Sequence, residues 1–375
     1  MNDYPRYRHG LIFLMILCAA LLFPPWTAHS QGQTRGHQQT VVEVEALGLV
    51  TFDTGFIFAG TEVGGLSGIT YDANRGVYYV LSDDKNLARY YTVAIDLADS
   101  RLDPGDVLFQ GVTILSTRHG TPFPESDVDP EGIVLAQAGI LYISSEGETD
   151  AEPLLNPFVN RFNTNGRQTK VLPVPAKFLP NAQRTRGVRN NAAFESLTVT
   201  PDRRLLYTAT EHALIQDGPR AGSDQESLSR ILEYALGSGR PQREFVYITG
   251  AGLVELVGLD NAGTLLALER SFTPGLGNTI KLFEARTQAA TDVSGIDDLF
   301  DEETKTPAAF IPVDKRLLAD FADDLGITPD NVEGMTLGPM LADGRQTLLL
   351  VSDNNFNPTQ VTQFIALALK IEAGW

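Results

Sequence analysis

One cysteine occurs in 375 residues, Cys18, and it lies in an apolar run near the N-terminus that reads as a leader. With the leader removed, the chain has neither disulfides nor thiol chemistry. Basic residues are also scarce. There are 29 Lys and Arg against 47 Asp and Glu, a net charge of −18. Without the first thirty residues, which carry Asp3, Arg6 and Arg8, the charge is −19. That balance argues against nucleic acid or an anionic membrane surface as partner and favours cations. Only His119 and His212 lie beyond the N-terminal tail. This excludes a His-rich zinc site and leaves few candidates for a Ser-His-Asp triad. A GxSxG elbow is missing, since Gly65-Leu66-Ser67-Gly68-Ile69 lacks the final glycine. P-loop and dinucleotide fingerprints are missing too. The long apolar run is Leu11 to Phe23, thirteen residues, where a membrane span needs about 20.

That run follows Arg6 and Arg8 and precedes Ala28-His29-Ser30, a small-residue site. The pattern is that of a signal peptide over residues 1–30, cleaved after Ser30, which places the mature protein in a periplasm or outside the cell. A retained anchor is the alternative. Leu17 before Cys18 is not the small residue that lipidation requires. Residues 31–41 are polar and rich in Gln and Gly, as in a flexible tail. Residues 42–375 are expected to form one domain, without an integral membrane segment, acting as a monomer on a small molecule.

What the chain does have is repetition. Short runs rich in Val, Ile, Tyr, Phe and Thr alternate with turns such as Asp72-Ala73-Asn74-Arg75-Gly76, Pro201-Asp202-Arg203, Asp260-Asn261-Ala262-Gly263 and Asp343-Gly344. One phrase recurs five times: Ser67-Gly68-Ile69, Glu131-Gly132-Ile133, Glu195-Ser196-Leu197, Glu255-Leu256-Val257 and Glu333-Gly334-Met335. After each comes a β-patterned run ending in an acid, at Asp83, Glu146, Glu211, Glu269 and Asp353. The starts are 64, 64, 60 and 78 residues apart, and a four-stranded propeller blade takes about 40 to 50. An all-β fold follows: a single β-propeller of five or six blades, in which residues before the first repeat help to complete the last blade. The long fourth interval holds an acidic stretch, Thr291 to Lys305. It also holds the clearest helical spacing, Leu317, Leu318, Phe321 and Leu325, so a short helical and acidic insertion is expected there.

If each phrase opens the innermost strand, its first residue borders the central channel, and the acid ending the next strand stands behind it. Glu131, Glu195, Glu255 and Glu333 then form an inner ring broken by Ser67. Two carboxylates about 6 Å apart at an effective dielectric near 20 repel by roughly 3 kcal/mol. Such a ring needs raised pKa values, basic partners or a divalent cation. Lys85, His212 and Arg270 follow three of the acids, and a hard cation with oxygen ligands, calcium above all, is the other solution. A glutamate repeated at strand starts is equally explained as a staple on backbone N–H groups of the next blade. Arg118-His119-Gly120-Thr121-Pro122-Phe123-Pro124 approaches a histidine phosphatase signature, but Pro122 replaces its second arginine. The segment reads as a loop.

The phrases DPEGI (129–133), PFVNRFN (157–163), NNAAFESLTVTPD (190–202), DNVEGMTLGPML (330–341) and TLLLVSDNNF (347–356) resemble the phytase-like family, known as "esterase-like activity of phytase", over about residues 60–368. The resemblance implies hydrolysis of phosphoesters or other esters. Calcium-dependent phytases and gluconolactonase-type lactonases are similar propellers that hold calcium in an acidic channel. The latter have Pro where Ile133 stands, so only Glu131 carries over. On this reading Glu131, Glu195, Glu255, Glu333, Asp353 and Asp83 are the candidate metal ligands. Glu195, Glu211, Glu269, Arg270, Arg161 and Lys315 are the candidate catalytic groups, the three cations neutralising developing charge. Asn191, Asn331, Asn354, Asn355 and His212 are candidates to bind substrate. A lactonase or carboxylester hydrolase on the same site, and a propeller that binds a ligand without turnover, are the alternatives.

Overall fold

The computed structural model describes residues 38–374 except Ala138, Ser223 and residues 302–305, with only the backbone of Asp301 and Pro307. The expected leader lies outside the described residues. Strand β1 (Gln39–Asp53) comes first, followed by a short ribbon of β2 (Ile57–Phe58) and β3 (Thr61–Glu62). Four complete blades follow in chain order. The first is β4 (Leu66–Asp72), β5 (Val77–Ser82), β6 (Arg89–Ile95) and β7 (Val107–Ile114). The second is β8 (Pro130–Gln137), β9 (Ile140–Ser145), β10 (Phe158–Asn163) and β11 (Gln168–Val171). The third is β12 (Phe194–Val199), β13 (Leu205–Thr210), β14 (Ser227–Ala235) and β15 (Arg240–Thr249). The fourth is β16 (Gly252–Gly258), β17 (Thr264–Thr273) and β18 (Gly277–Arg286), then a ribbon of β19 (Phe300–Asp301) and β20 (Thr306–Pro307), then β21 (Asp314–Asp320). The fifth joins β22 (Asn331–Met340), β23 (Gln346–Asp353) and β24 (Val361–Ala373) to β1, so the first strand closes the ring on the last three. Five blades, not six, complete the propeller.

Each blade is antiparallel and opens with its innermost strand. β4, β8, β12, β16 and β22 pack side by side around the axis. The second strands are buried on both faces, because alternate residues enter different gaps between blades. On β5, Tyr78 and Val80 pack towards blade five, whereas Val77, Tyr79 and Leu81 pack towards blade two. The same rule generates one apolar cluster in each of the five gaps.

Two expectations need correction. Gln39, Thr40 and Val41, assigned to a flexible tail, are strand, and the Val41 side chain is buried. The helix expected at Lys315 to Leu325 is strand β21 as far as Asp320 and a turn beyond it, and no helix occurs in the described part of the insertion. The exposed edge of β18 takes β21 as its partner, with a register break beside Leu318 that produces the Leu317, Leu318 pair. Phe321 is buried just beyond the strand. A bulge followed by a buried residue mimicked helical spacing.

The insertion folds back on blade three and is tied there by buried charge. Arg230 is fully buried and donates to Asp217 Oδ2 at 2.6 Å and Glu244 Oε2 at 2.9 Å, and also to the carbonyls of Ile296 and Asp297. Lys177 Nζ donates to the carbonyls of Ser294 and Ile296. Removing one partner of a buried ion pair strands the others without water. Arg230→Ala is expected to lower unfolding free energy by about 3–5 kcal/mol in a denaturant melt. A loss below about 1 kcal/mol would mean that the insertion is held by something else.

Candidate functional site

The inner strands share one irregularity. Their ladders break at Ser67, at Glu131-Gly132, at Glu195, at Val254 and at Glu333. A bulge re-aims the extra side chain. Here the glutamates it presents lie close enough to feel one another, Glu131 to Glu195 and Glu195 to Glu333. At the same end each blade pairs two further positions: Gly65 with Asp83, Asp129 with Glu146, Ala193 with Glu211, Gly252 with Arg270, and Asn331 with Asp353. Eight carboxylates therefore gather at one mouth: Asp83, Asp129, Glu131, Glu146, Glu195, Glu211, Glu333 and Asp353. The small residue at Gly65 is required. Its φ is +60°, and a Cβ there would collide with the Asp83 carboxylate.

The fourth repeat is out of step with the expected alignment. Leu253 pairs with Glu269 where Phe194 pairs with Thr210 and Leu66 with Ser82. Arg270, not Glu269, thus stands where the other blades place an acid, and Val254, not Glu255, stands at the inner ring. A one-residue slip turns a side chain to the opposite face. Glu255 accordingly lies among backbone donors: it accepts N–H groups from Leu197 at 3.0 Å, Leu256 at 2.9 Å, and Met335. It ties three inner strands together, which is the staple. Glu269 faces the gap between blades three and four, where it accepts the Tyr247 hydroxyl at 2.7 Å and pairs with Lys315. Lys315 also lies over the rings of Tyr247 and Phe283. Arg161 is on the third strand of blade two, donating to Thr169 Oγ1 at 2.9 Å. Of the expected catalytic set, the structure brings Glu195, Glu211 and Arg270 to the mouth and leaves Glu269, Lys315 and Arg161 elsewhere. Of the metal set it brings all but Glu255.

Two further groups at the mouth, Asp129 and Lys85, take places that the repeat spacing does not assign them. Asp129 lies two residues before Glu131, as Asn331 lies two before Glu333, and aligning DPEG with NVEG identifies it. Asp129, Glu131 and Glu146 each offer an oxygen, all within 4.8 Å of one another. Lys85, expected to answer Asp83, instead lies 2.6 Å from Asp129 Oδ2 and 3.7 Å from Glu148.

Burial is the main reason Asp83, Asp129, Glu131, Glu146, Glu195, Glu333 and Asp353 hold protons tightly, and mutual repulsion adds to it. Glu131 and Glu195 are pushed well above the usual carboxylate range, as is Asp83 beside Asp353 and Glu333. Glu146 is raised to about 7 by burial, partly offset by hydrogen bonds with Glu195 and the Ala193 N–H. Glu333 is raised to about 8 by burial despite Arg270, and Asp353 to about 6 by burial despite the Asn355 N–H. Burial opposes the Arg270 charge, but Glu333, Glu211, Glu195 and Asp353 hold its pKa above the ordinary value. Arg270 lies 3.3 Å from Glu333 and 3.4 Å from Glu211 and donates to Asn331 Oδ1 at 2.6 Å, while its Nε has no acceptor. Burial lowers the pKa of His212, whose Nδ1 accepts the Ala221 N–H and whose Nε2 lies 3.6 Å from Glu211.

The expected substrate-binding residues divide. Asn331 bridges Glu333 and Asp353 through Nδ2. Asn354 is buried, with Oδ1 taking the N–H of Gly65 and of Phe356, and its Nδ2 unpaired. Asn355 and Phe356 both have positive φ, near 50°. That backbone is strained for a bulky residue such as Phe. Asn191 and Asn355 line a cavity of about 730 Å³ over the mouth, together with Arg270, Phe272, Asn331 and Glu333. A neighbouring cavity of about 490 Å³ is lined by Glu211, His212, Arg270 and Phe272 among others.

The family model for phytase-like proteins, described as esterase-like activity of phytase, matches residues 61–356. The chain belongs to that family. An uncharacterised secreted protein of Arthroderma benhamiae is 25% identical over 145 residues, covering 32% of this phytase-like chain. The match spans about a quarter, 26%, of that relative's length. Among solved structures, the hydrazine synthase of Kuenenia stuttgartiensis is 10% identical with a TM-score of 0.37, over 81% of this chain and 82% of that one. The Dos1 propeller is 8% identical with a TM-score of 0.35, over 82% and 69%. Similarity at that level says nothing of activity.

The raised acids fix a sign for pH. Folding favours their protonated forms, so their contribution is full below the ordinary values of 3.8 for Asp and 4.5 for Glu. It is lost as pH rises through about 6 at Asp353, about 7 at Glu146 and about 8 at Glu333. In chelator, the melting temperature of the phytase-like chain is expected to fall between about pH 5 and pH 8.5. Glu333→Gln is expected to flatten the upper part of that fall. Thermal melts across the range check both, and a flat profile would show that the carboxylates are neutralised from within the chain.

Proposed function

We propose that the protein is an exported hydrolase of ester bonds, phosphoesters first, which works with a divalent cation at the propeller mouth. The observation supporting this is the buried trio Asp129, Glu131 and Glu146, whose oxygens converge within 4.8 Å in a site where eight acids face two ammonium or guanidinium groups, Arg270 and Lys85. An all-oxygen donor set of this kind fits a hard cation, calcium by preference. When bound, such a cation supplies a water of lowered pKa and offsets phosphoryl charge.

The chain's own residues then have separate tasks. Arg270, 21% exposed and lining both cavities, holds the ester's anionic oxygen through its guanidinium. Glu333, which titrates at about 8 and lines the larger cavity, takes or gives a proton near neutral pH. Lys85 holds Asp129 in place. Asn191, Asn331 and Asn355 line the larger cavity and orient the substrate. The surplus of carboxylates favours, as the second reading, an uncharged carboxylester or lactone on the same residues. Export rests on the leader pattern and agrees with the secreted nature of the Arthroderma relative. N-terminal sequencing of exported protein is expected to begin at Gln31, and an intact Met1 would overturn it.

The test is a panel of phosphomonoesters, phosphodiesters, lactones and carboxylesters, assayed with calcium, magnesium or chelator. Cation-dependent phosphoester turnover is expected, and Arg270→Gln should cut kcat/KM about 100-fold. Asp129→Asn with Glu131→Gln should abolish the rise in melting temperature that calcium produces. Turnover of lactones or carboxylesters alone would select the second reading. A calcium shift with no turnover anywhere would make the protein a binding propeller.

A further inference from the structure

Blade four departs from the other four in two ways, at one place. It supplies the arginine of the acidic ring, and its second strand does not stop there. In blades one, two and three the second strand ends at Ser82, Ser145 and Thr210, and in blade five at Asp353. β17 continues past Arg270 to Thr273, and the ladder with β18 continues with it: Ser271 pairs with Thr279, Phe272 with Asn278 and Thr273 with Gly277. The hairpin thus projects beyond the ring. Arg270 and Phe272, two residues apart on one strand, share a face. Both line the larger cavity and both line the smaller one, so the hairpin forms the wall between them.

The wall exposes two large apolar side chains. Phe272 is 64% exposed and Leu276, at the tip, is 86% exposed. The Phe272 ring has no aromatic neighbour among the described residues. Below it the charge balance is severe, with one guanidinium among many carboxylates. Away from Arg270, Lys85 and the cation site, each further anionic group on a ligand would meet carboxylates. A ligand with one anionic group fits Arg270, and an apolar arm on that group rises along the same strand face to Phe272.

We infer that the blade-four hairpin makes the mouth selective for esters that carry a single anionic group on a flat apolar arm, with Phe272 the surface against which that arm lies. This deepens the hydrolase reading and rests on it for the reacting end alone. Phe272 is a specificity-determining residue and takes no part in the chemistry.

Phenylphosphonate and methylphosphonate, titrated calorimetrically into the full chain in calcium buffer, separate the arm from the anion. The wild type should bind phenylphosphonate about tenfold more tightly, and Phe272→Ala should bring the two affinities within about threefold, leaving methylphosphonate unchanged. Phe272→Tyr should keep the preference. In the assay, Phe272→Ala should lower kcat/KM for phenyl phosphate through KM, and that for methyl phosphate hardly at all. Equal affinity of the wild type for the two phosphonates, or an unchanged ratio in Phe272→Ala, overturns the inference. A phenyl preference lost in Phe272→Ala, in a protein that hydrolyses nothing, supports it while sinking the hydrolase reading. Tight binding of inositol hexakisphosphate with no response to Phe272→Ala would also overturn it.

Discussion

Repulsion among like charges, held at close range by a rigid ladder, is the condition to which the rest of this structure answers. Five inner strands bring their first turns of chain to one end of a ring, and five second strands return to the same end. The sequence places acids at most of those positions. Backbone register then leaves the side chains no freedom to move apart, and the blades on either side exclude water. Protons are one answer, as the raised affinities of Glu146 and Glu333 show. Arg270 and Lys85 are another. A metal ion would be the third, and the trio on blade two is the place whose donors could hold one.

The ring is stable enough to bear this cost because its cohesion lies elsewhere. Each gap between blades has its own apolar cluster, and the first strand closes the circle by pairing along β24 from Gln39 to Asp53. Polar staples supplement the apolar ones without touching the mouth. Glu255 satisfies three backbone donors across inner strands, and Glu269 with Lys315 and Tyr247 bridges blades three and four. Two glutamates of the same repeated phrase family thus serve architecture, while their counterparts in other blades face the channel.

Departures from fivefold regularity give the mouth its chemistry. Ser67 and Val254 open gaps in the inner ring, Arg270 reverses the charge at one corner, and the strained Asn355-Phe356 pair covers another. Blade four carries two of these differences, and its long hairpin divides the space above the ring. A ring of five identical corners would offer a ligand five equivalent orientations. The asymmetry offers one.

The repeat, the all-β class and the acidic mouth were legible in the sequence because strand periodicity and turn residues are local. Glu131, Glu195, Glu333, Asp83 and Asp353 could be assigned to one end of the ring from spacing alone. What failed was register. The fourth run, Leu265 to Glu269, has five residues to its acid where Tyr78 to Asp83 and Leu141 to Glu146 have six, and only the ladder pairing Leu253 with Glu269 reveals that Arg270 holds the ring position. The strand at Asp314–Asp320 was equally hidden, since the need of β18 for a partner is a property of the sheet, not of the segment. Asp129 had a visible signal in its place before Glu131, but its convergence with Glu146 depends on two strands meeting. The sequence determined which residues recur and what charge they carry. Tertiary structure decided which of them face one another, because that depends on cross-strand pairing, where one residue of slip exchanges a ligand for a staple.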